Sequence, residues 1–144
     1  MAGAGNVSIT GDKELLKALG QLKVTVENRI MRKALRAGAK PVRADARANA
    51  PFDSGLLKKN IKTRSYKGRK DNIAVYVGTG TRQEMGIEGK WYYPAHVELG
   101  HKGVSGVPFL RNALKRNTAT VMTIVRKETW DGIRKEAQKL ANKK

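Results

Sequence analysis

The chain has 144 residues, 40% of them hydrophobic, and its 30 Lys and Arg stand against 12 Asp and Glu, a formal charge of +18. A chain of this length fits one domain and can bury roughly two thirds of the surface its unfolded form exposes, while a mean hydropathy of -0.55 and the lack of any apolar run approaching ~18 residues exclude a transmembrane helix. With no cysteine, disulfide staples, cysteine-based zinc sites and thiol nucleophiles are excluded together.

The opening MAGAGNVSITGDK has neither a basic start nor a continuous apolar segment, which predicts synthesis in the cytoplasm. Residues 1–144 read as a single domain with loose ends at 1–10 and 142–144. Val7 and Ile9 suit a short edge strand, and Thr10 or Asp12 can cap a helix over 12–19 that Gly20 ends. Leu15, Leu16 and Leu19 share one face of it. From Val24 the spacing of Met31, Leu35, Gly38 and Val42, supported by Ile30, Ala34 and Ala46, predicts a second helix to about Asn49. Pro41 lies inside it and predicts a kink or short break near Gly38 to Lys40. In APFDSGLLKKNI, Ala50 and Pro51 stop that helix, Asp53 or Ser54 can cap the next turn, and Leu56, Leu57 and Ile61 supply its anchors.

Two strands follow at 61–66 and 72–79, joined by a basic, glycine-containing turn, with Ile73, Val75 and Val77 facing one way. Residues 78–90, GTGTRQEMGIEGK, form a long polar excursion. A third strand is predicted over 91–99, because Tyr93, Ala95, Val97 and Leu99 alternate with Pro94, His96 and Glu98. Gly100, Gly103 and Gly106 then predict an exposed, mobile connection. Pro108 opens a long helix to about Leu140, with Leu110, Leu114, Val121, Ile124, Val125, Trp130 and Ile133 along its apolar stripe. The expected fold is α+β: a small antiparallel sheet of three or four strands packed against a long kinked N-terminal helix and a long C-terminal helix.

The excess charge is unevenly placed. Residues 23–70 hold fifteen Lys and Arg against three acidic side chains, 111–144 hold ten against three, and 71–110 hold three against four. One surface is strongly basic and another nearly neutral, as two kinds of contact would require. Arg29, Arg32, Lys33, Arg36, Lys40, Arg43 and Arg47 spread charge over most of the circumference of the second helix, a patch suited to DNA or to an acidic partner. Catalysis finds little support. Ser54, Ser65 and Ser105 lack a nucleophile-elbow context, and a nuclease would need Asp71, Glu84, Glu88 and Glu98 to converge. His96 and His101 fit no standard zinc spacing, and 78–90 has no phosphate-loop lysine. No catalytic residue, metal or cofactor is expected. The physical alternatives are an assembly protein and a non-specific nucleic-acid-binding accessory protein.

The order of APFDSGLLKKNI, AVYVGT, YYPAHVELG and GVPFLRNALKR resembles the neck or tail-completion (head–tail joining) proteins of long-tailed bacteriophages. Pro51, Ser54, Gly55, Leu56 or Leu57, Lys58 and Ile61 match the first signature, with serine where threonine is common. Tyr92, Tyr93, His96, Val97, Glu98, Leu99, Gly100, Pro108, Phe109, Leu110, Ala113 and Leu114 match the second. Leu99 stands where phenylalanine or tyrosine is frequent, and Asn112 replaces a proline often found before the alanine. The resemblance covers about residues 24–140. It implies a non-enzymatic virion protein, made in the bacterial cytoplasm, that assembles as a ring, with a hexamer as the family-guided expectation. Its implied partners are other copies and the tail terminator, tail tube or head connector proteins, with transient contact to phage DNA and none to membranes. Trp91, Tyr92, Glu98, Gly100, His101, Gly103 and Gly106 are the candidate interface, with Phe109 and Leu110 anchoring the last helix to the core.

Overall fold

Ile30, Ala34, Gly38, Val42 and Ala46 recur every four residues and are all buried, so the spacing that predicts a helix also defines the side it presents to the core. The computed structural model describes residues 12–67, 72–89 and 92–142. The anticipated 7–9 strand, the Thr10 cap, the loose ends of the chain apart from Asn142, most of the basic turn and Trp91 lie outside the described residues. After α1 (Asp12–Gly20), whose Leu19 is buried, α2 (Val24–Asn49) runs for 26 residues without interruption. Of the kink or short break expected near Gly38 to Lys40, the break is absent. Pro41 removes one backbone donor, but buried residues on both sides of it, Ala34 and Gly38 before and Val42 and Ala46 after, hold the helix in register.

The partner of α2 is α5 (Phe109–Ala141), and the two pack antiparallel through small residues. A Cβ at Gly38 would lie 2.7 Å from Val125 Cγ2 and 3.2 Å from Val121 Cγ1, and one at Gly132 would lie 2.7 Å from Ile30 Cγ2. Each glycine is a hole for a branched side chain of the other helix, allowing the backbones to approach closely. At the other end of the pair, Val42, Ala46, Ala50, Leu57, Ile61, Phe109 and Ala113 form the main buried cluster, with Val77, Tyr93, Val97, Leu110 and Val121 packed around it. The short α3 (Leu56–Asn60) delivers Leu57 and Ile61 to this cluster. Gly55 is its N-cap, and the Ser54 hydroxyl accepts a 3.4 Å hydrogen bond from the Leu56 N–H.

β1 (Lys62–Lys67) pairs antiparallel with β2 (Ile73–Gly78), from Lys62 opposite Gly78 to Lys67 opposite Ile73, and this ribbon packs on α2. No third strand joins it. The segment predicted as one is α4 (Tyr93–Leu99), with Pro94 buried in its first turn. Tyr93 and Val97, four residues apart, both reach the core, whereas Leu99, which alternation would cover, is 67% exposed. Helical spacing wins because it buries two anchors on one side, and proline suits the first turn of a helix. The anticipated mobile connection is a second antiparallel ribbon, β3 (Gly100–His101) with β4 (Val104–Ser105). The described chain is therefore α+β with helices and two small two-stranded ribbons in place of one sheet.

Candidate functional site

The ribbon β3–β4 forms a knuckle between α4 and α5, and its shape follows from two glycines in contact. Gly100 has φ +79°, and a Cβ there would lie 2.6 Å from both Gly106 N and Val104 O. A side chain at Gly106 would in turn run into the backbone of residues 98–100. Val107 N–H closes the knuckle by donating to Val97 O at 2.7 Å. Glu98 then locks it to α5: its Oε2 accepts from Leu110 N at 2.9 Å and its Oε1 from Arg111 N at 3.0 Å. Pro108, the N-cap, offers no side-chain acceptor, so a carboxylate ten residues earlier satisfies two of the free donors and faces the positive end of the helix dipole.

The candidate interface residues thus divide. Glu98 is engaged within the chain, and Tyr92 is too: its hydroxyl donates to Gly80 O at 2.7 Å and contacts Thr79 Oγ1. Gly100 and Gly106 set the turn, while His101 and Gly103 lie open at the tip. The His96 and His101 rings meet edge-on, centroids 5.7 Å apart. The structure adds Leu99, Val104 and Val107, all at least half exposed. Sequence reading did not single out the two valines. Their signal was valine on either side of a Ser-Gly pair, apolar residues in a stretch otherwise read as polar connection. Phe109 is 2% exposed and Leu110 packs beside it, as expected of the anchor. Burial raises the Tyr93 hydroxyl above its ordinary pKa, helped by the charges of Asp53 and Tyr92.

The excursion after β2 is folded down around buried Met85. Glu84 accepts from the Thr81 N–H at 2.7 Å, pairs with Arg64 and lies 3.7 Å from Lys62. The Thr81 N–H first, and Arg64 after it, lower the Glu84 carboxyl to about 2. Glu84 and Glu98 therefore serve structure, Glu88 is exposed, and Asp71 lies outside the described residues. Among the described residues no group of three or more His, Asp or Glu is placed to hold a metal ion, and no helix is long and apolar enough to cross a membrane.

The basic patch on α2 differs from the sequence reading in one respect. At about 100° per residue, Arg29, Arg32, Lys33, Arg36, Lys40, Arg43 and Arg47 fall within a sector of about 100°, opposite the buried face, instead of around most of the helix. Arg29 pairs with Glu136 and Lys33 with Glu128 at 3.4 Å, both on α5. On the ribbon side Arg36 reaches Ser65 at 3.4 Å. Arg47 donates twice to Ile61 O, at 3.1 and 2.8 Å. Arg32, Lys40 and Arg43 make no ion pair or side-chain hydrogen bond among the described residues. Arg29, Arg32, Lys33, Arg36 and Lys67 line a cleft of about 470 Å³. Around the corner, Leu35, Val42, Val75, Val77, Leu110 and Leu114 line an apolar groove of about 390 Å³ between α2, β2 and the start of α5. Near it Arg116 grips Asp45 with two hydrogen bonds of 3.0 and 2.6 Å, and Asn117 adds a third at 2.6 Å. Arg116 holds the Asp45 carboxyl below its ordinary pKa.

Comparison with known proteins gives one family match. Residues 13–100 match the family described as "Bacteriophage HK97-gp10, putative tail-component". No curated protein and no solved structure matches the chain. The matched span holds the whole of α2 with its basic face, the ribbon β1–β2 and α4 with Glu98, and it stops at the first residue of the knuckle. It takes in more than half of the sequence, and on that basis the chain belongs to the HK97-gp10-like family of bacteriophage tail components.

Proposed function

We propose that this chain is a non-enzymatic structural protein of the phage neck or tail end, made in the host cytoplasm and carried in the virion. Its copies assemble as a hexameric ring that completes the tail and joins it to the head, with the tail terminator, tail tube or head connector proteins as its neighbours. The observation that carries the reading is the knuckle, a small closed ribbon that leaves Leu99, Val104 and Val107 open to solvent. Apolar side chains held outward on a fixed turn suit a subunit contact.

Charge supports the same assignment. Copies at +18 repel one another, and the knuckle lies in 71–110, the segment where acidic residues outnumber basic ones. The apolar groove beside α2 is a different patch on the same subunit. A contact between knuckle and groove is therefore head-to-tail, the type of contact that closes into a ring.

Native mass spectrometry of the chain, alone and mixed with its tail-tube and connector proteins, tests this. The expected result is a hexamer that Val104→Asp converts to monomer, while the melting midpoint stays within what about 0.5 kcal/mol would produce. A chain that remains monomeric under all three conditions overturns the reading.

A further inference from the structure

We infer that the outer face of α2 is a contact surface for duplex DNA, binding phosphates without reading base sequence. Seven cations lie on one side of one continuous helix. From Arg29 to Arg47 the row is ~27 Å long at ~1.5 Å per residue. A duplex presents one negative charge per ~1.7 Å of axis, so such a row runs beside many phosphates.

The neighbouring elements add charge of both signs. On the ribbon side Lys67 lines the cleft with Arg29, Arg32, Lys33 and Arg36. On the α5 side Lys135 and Lys139 stand beside Glu128 and Glu136. Those two carboxylates hold Arg29 and Lys33, Ser65 and the Ile61 carbonyl engage Arg36 and Arg47, and Arg32, Lys40 and Arg43 are left for an external anion.

An acidic protein is the less suitable partner. Tight protein interfaces rest on buried apolar or aromatic anchors surrounded by a polar rim, and none of the large apolar side chains exposed on the surface lies in this sector of α2. Cations without an apolar anchor suit a ligand whose whole surface is charge. The row also lies mid-helix, where backbone N–H groups are occupied, so only side chains make contact. Long flexible side chains meeting phosphates fix position and carry no sequence information.

The test compares two triple variants of equal charge. One is Arg32→Gln, Lys40→Gln and Arg43→Gln together. The other replaces three exposed lysines away from α2, Lys59→Gln, Lys115→Gln and Lys127→Gln. Fluorescence anisotropy with a mixed-sequence duplex of ~30 base pairs, between ~50 and ~200 mM salt, gives affinity and salt slope. Expected are sequence-independent binding by the unaltered chain and a slope reduced by about 3 in the α2 variant, since each phosphate contact contributes ~0.9. Affinity should fall tenfold or more in that variant and by less than threefold in the control. Equal losses in both variants, or no binding at ~50 mM salt, would overturn the inference. So would binding to poly-glutamate as tight as to the duplex, which would assign the face to an acidic protein. Monomeric Val104→Asp should keep the DNA slope per chain, so the ring reading and this one fail separately.

Discussion

The α2–α5 pair and the knuckle after α4 are held by opposite means. In the pair, Ala34, Gly38, Ala46 and Ala113 are buried, so the backbones approach closely and branched side chains fill the glycine holes. Most of the charge is kept to the outer sides, with Asp45 and Arg116 paired across the seam. The knuckle has almost no interior: it is held by the β3–β4 pairing, the backbone hydrogen bond from Val107 to Val97, two glycines in contact and the Glu98 carboxylate, and its apolar side chains face outward. A region that spends few apolar residues on its own stability keeps them for a partner, and the body behind it supplies the rigidity.

Phe109 is where the two regions meet, so its removal should have the largest effect. It is the largest of the fully buried side chains and sits at the first turn of α5, directly behind the knuckle. Phe109→Ala should lower unfolding free energy by about 3–5 kcal/mol in urea titrations. Leu99→Ala, on the exposed side of the same junction, should stay within about 0.5 kcal/mol. A Phe109→Ala loss below about 1 kcal/mol would mean that the knuckle and the helix pair are not joined through this ring.

A smaller effect isolates the polar half of that junction. Glu98→Ala strips the start of α5 of its side-chain acceptors, and caps of this kind contribute about 1 kcal/mol. The same variant should speed amide hydrogen exchange at Leu110 and Arg111 while leaving α2 unchanged. Uniform exchange in both helices would argue that the cap stabilises the whole body instead of one helix end.

The helix pair was legible in the sequence because each helix repeats its apolar spacing over many turns, and a single proline cannot outweigh so much packing. The first ribbon was legible for the same reason: β-branched alternation with a basic turn between. Tyr93 to Leu99 was not. Over seven residues, alternation and a four-residue spacing share Tyr93 and Val97, and the choice rests on Leu99, whose exposure depends on tertiary neighbours. The closing of the 100–106 glycines into a ribbon was also hidden, since glycine signals freedom locally and close approach only when the opposing backbone is known. The roles of Glu98 and Tyr92 could not be read either, because their partners lie twelve residues away across turns of unpredicted geometry. The confinement of the seven cations to one side, by contrast, follows from about 100° per residue once residues 24–49 are read as a helix, so it was legible and was missed.

The smallest effect concerns acid, and it asks which region loosens first. The Glu84 carboxyl sits at about 2, well below the 4.5 of a free glutamate. A depressed carboxyl contributes stability that is complete above the unfolded value and is lost as pH falls through the folded one. The melting midpoint should therefore be flat above about pH 5 and decline from there toward about pH 2. In Glu84→Gln the midpoint should start lower and decline less, the two curves converging near pH 2. The Glu84 side chain is 38% exposed, so the gap should be modest and should narrow in high salt. Asp45 titrates in the same sense through Arg116, but it ties α2 to α5, whereas Glu84 ties β1 to the loop that carries Thr79 and Gly80, the partners of Tyr92. Hydrogen exchange at pH 3 should accordingly rise in Glu84→Gln around residues 80–99 and not along α2. Parallel curves for the two proteins down to pH 2 would show that the Thr81 and Arg64 contacts do not hold the loop in solution, and that acid reaches the knuckle by another route.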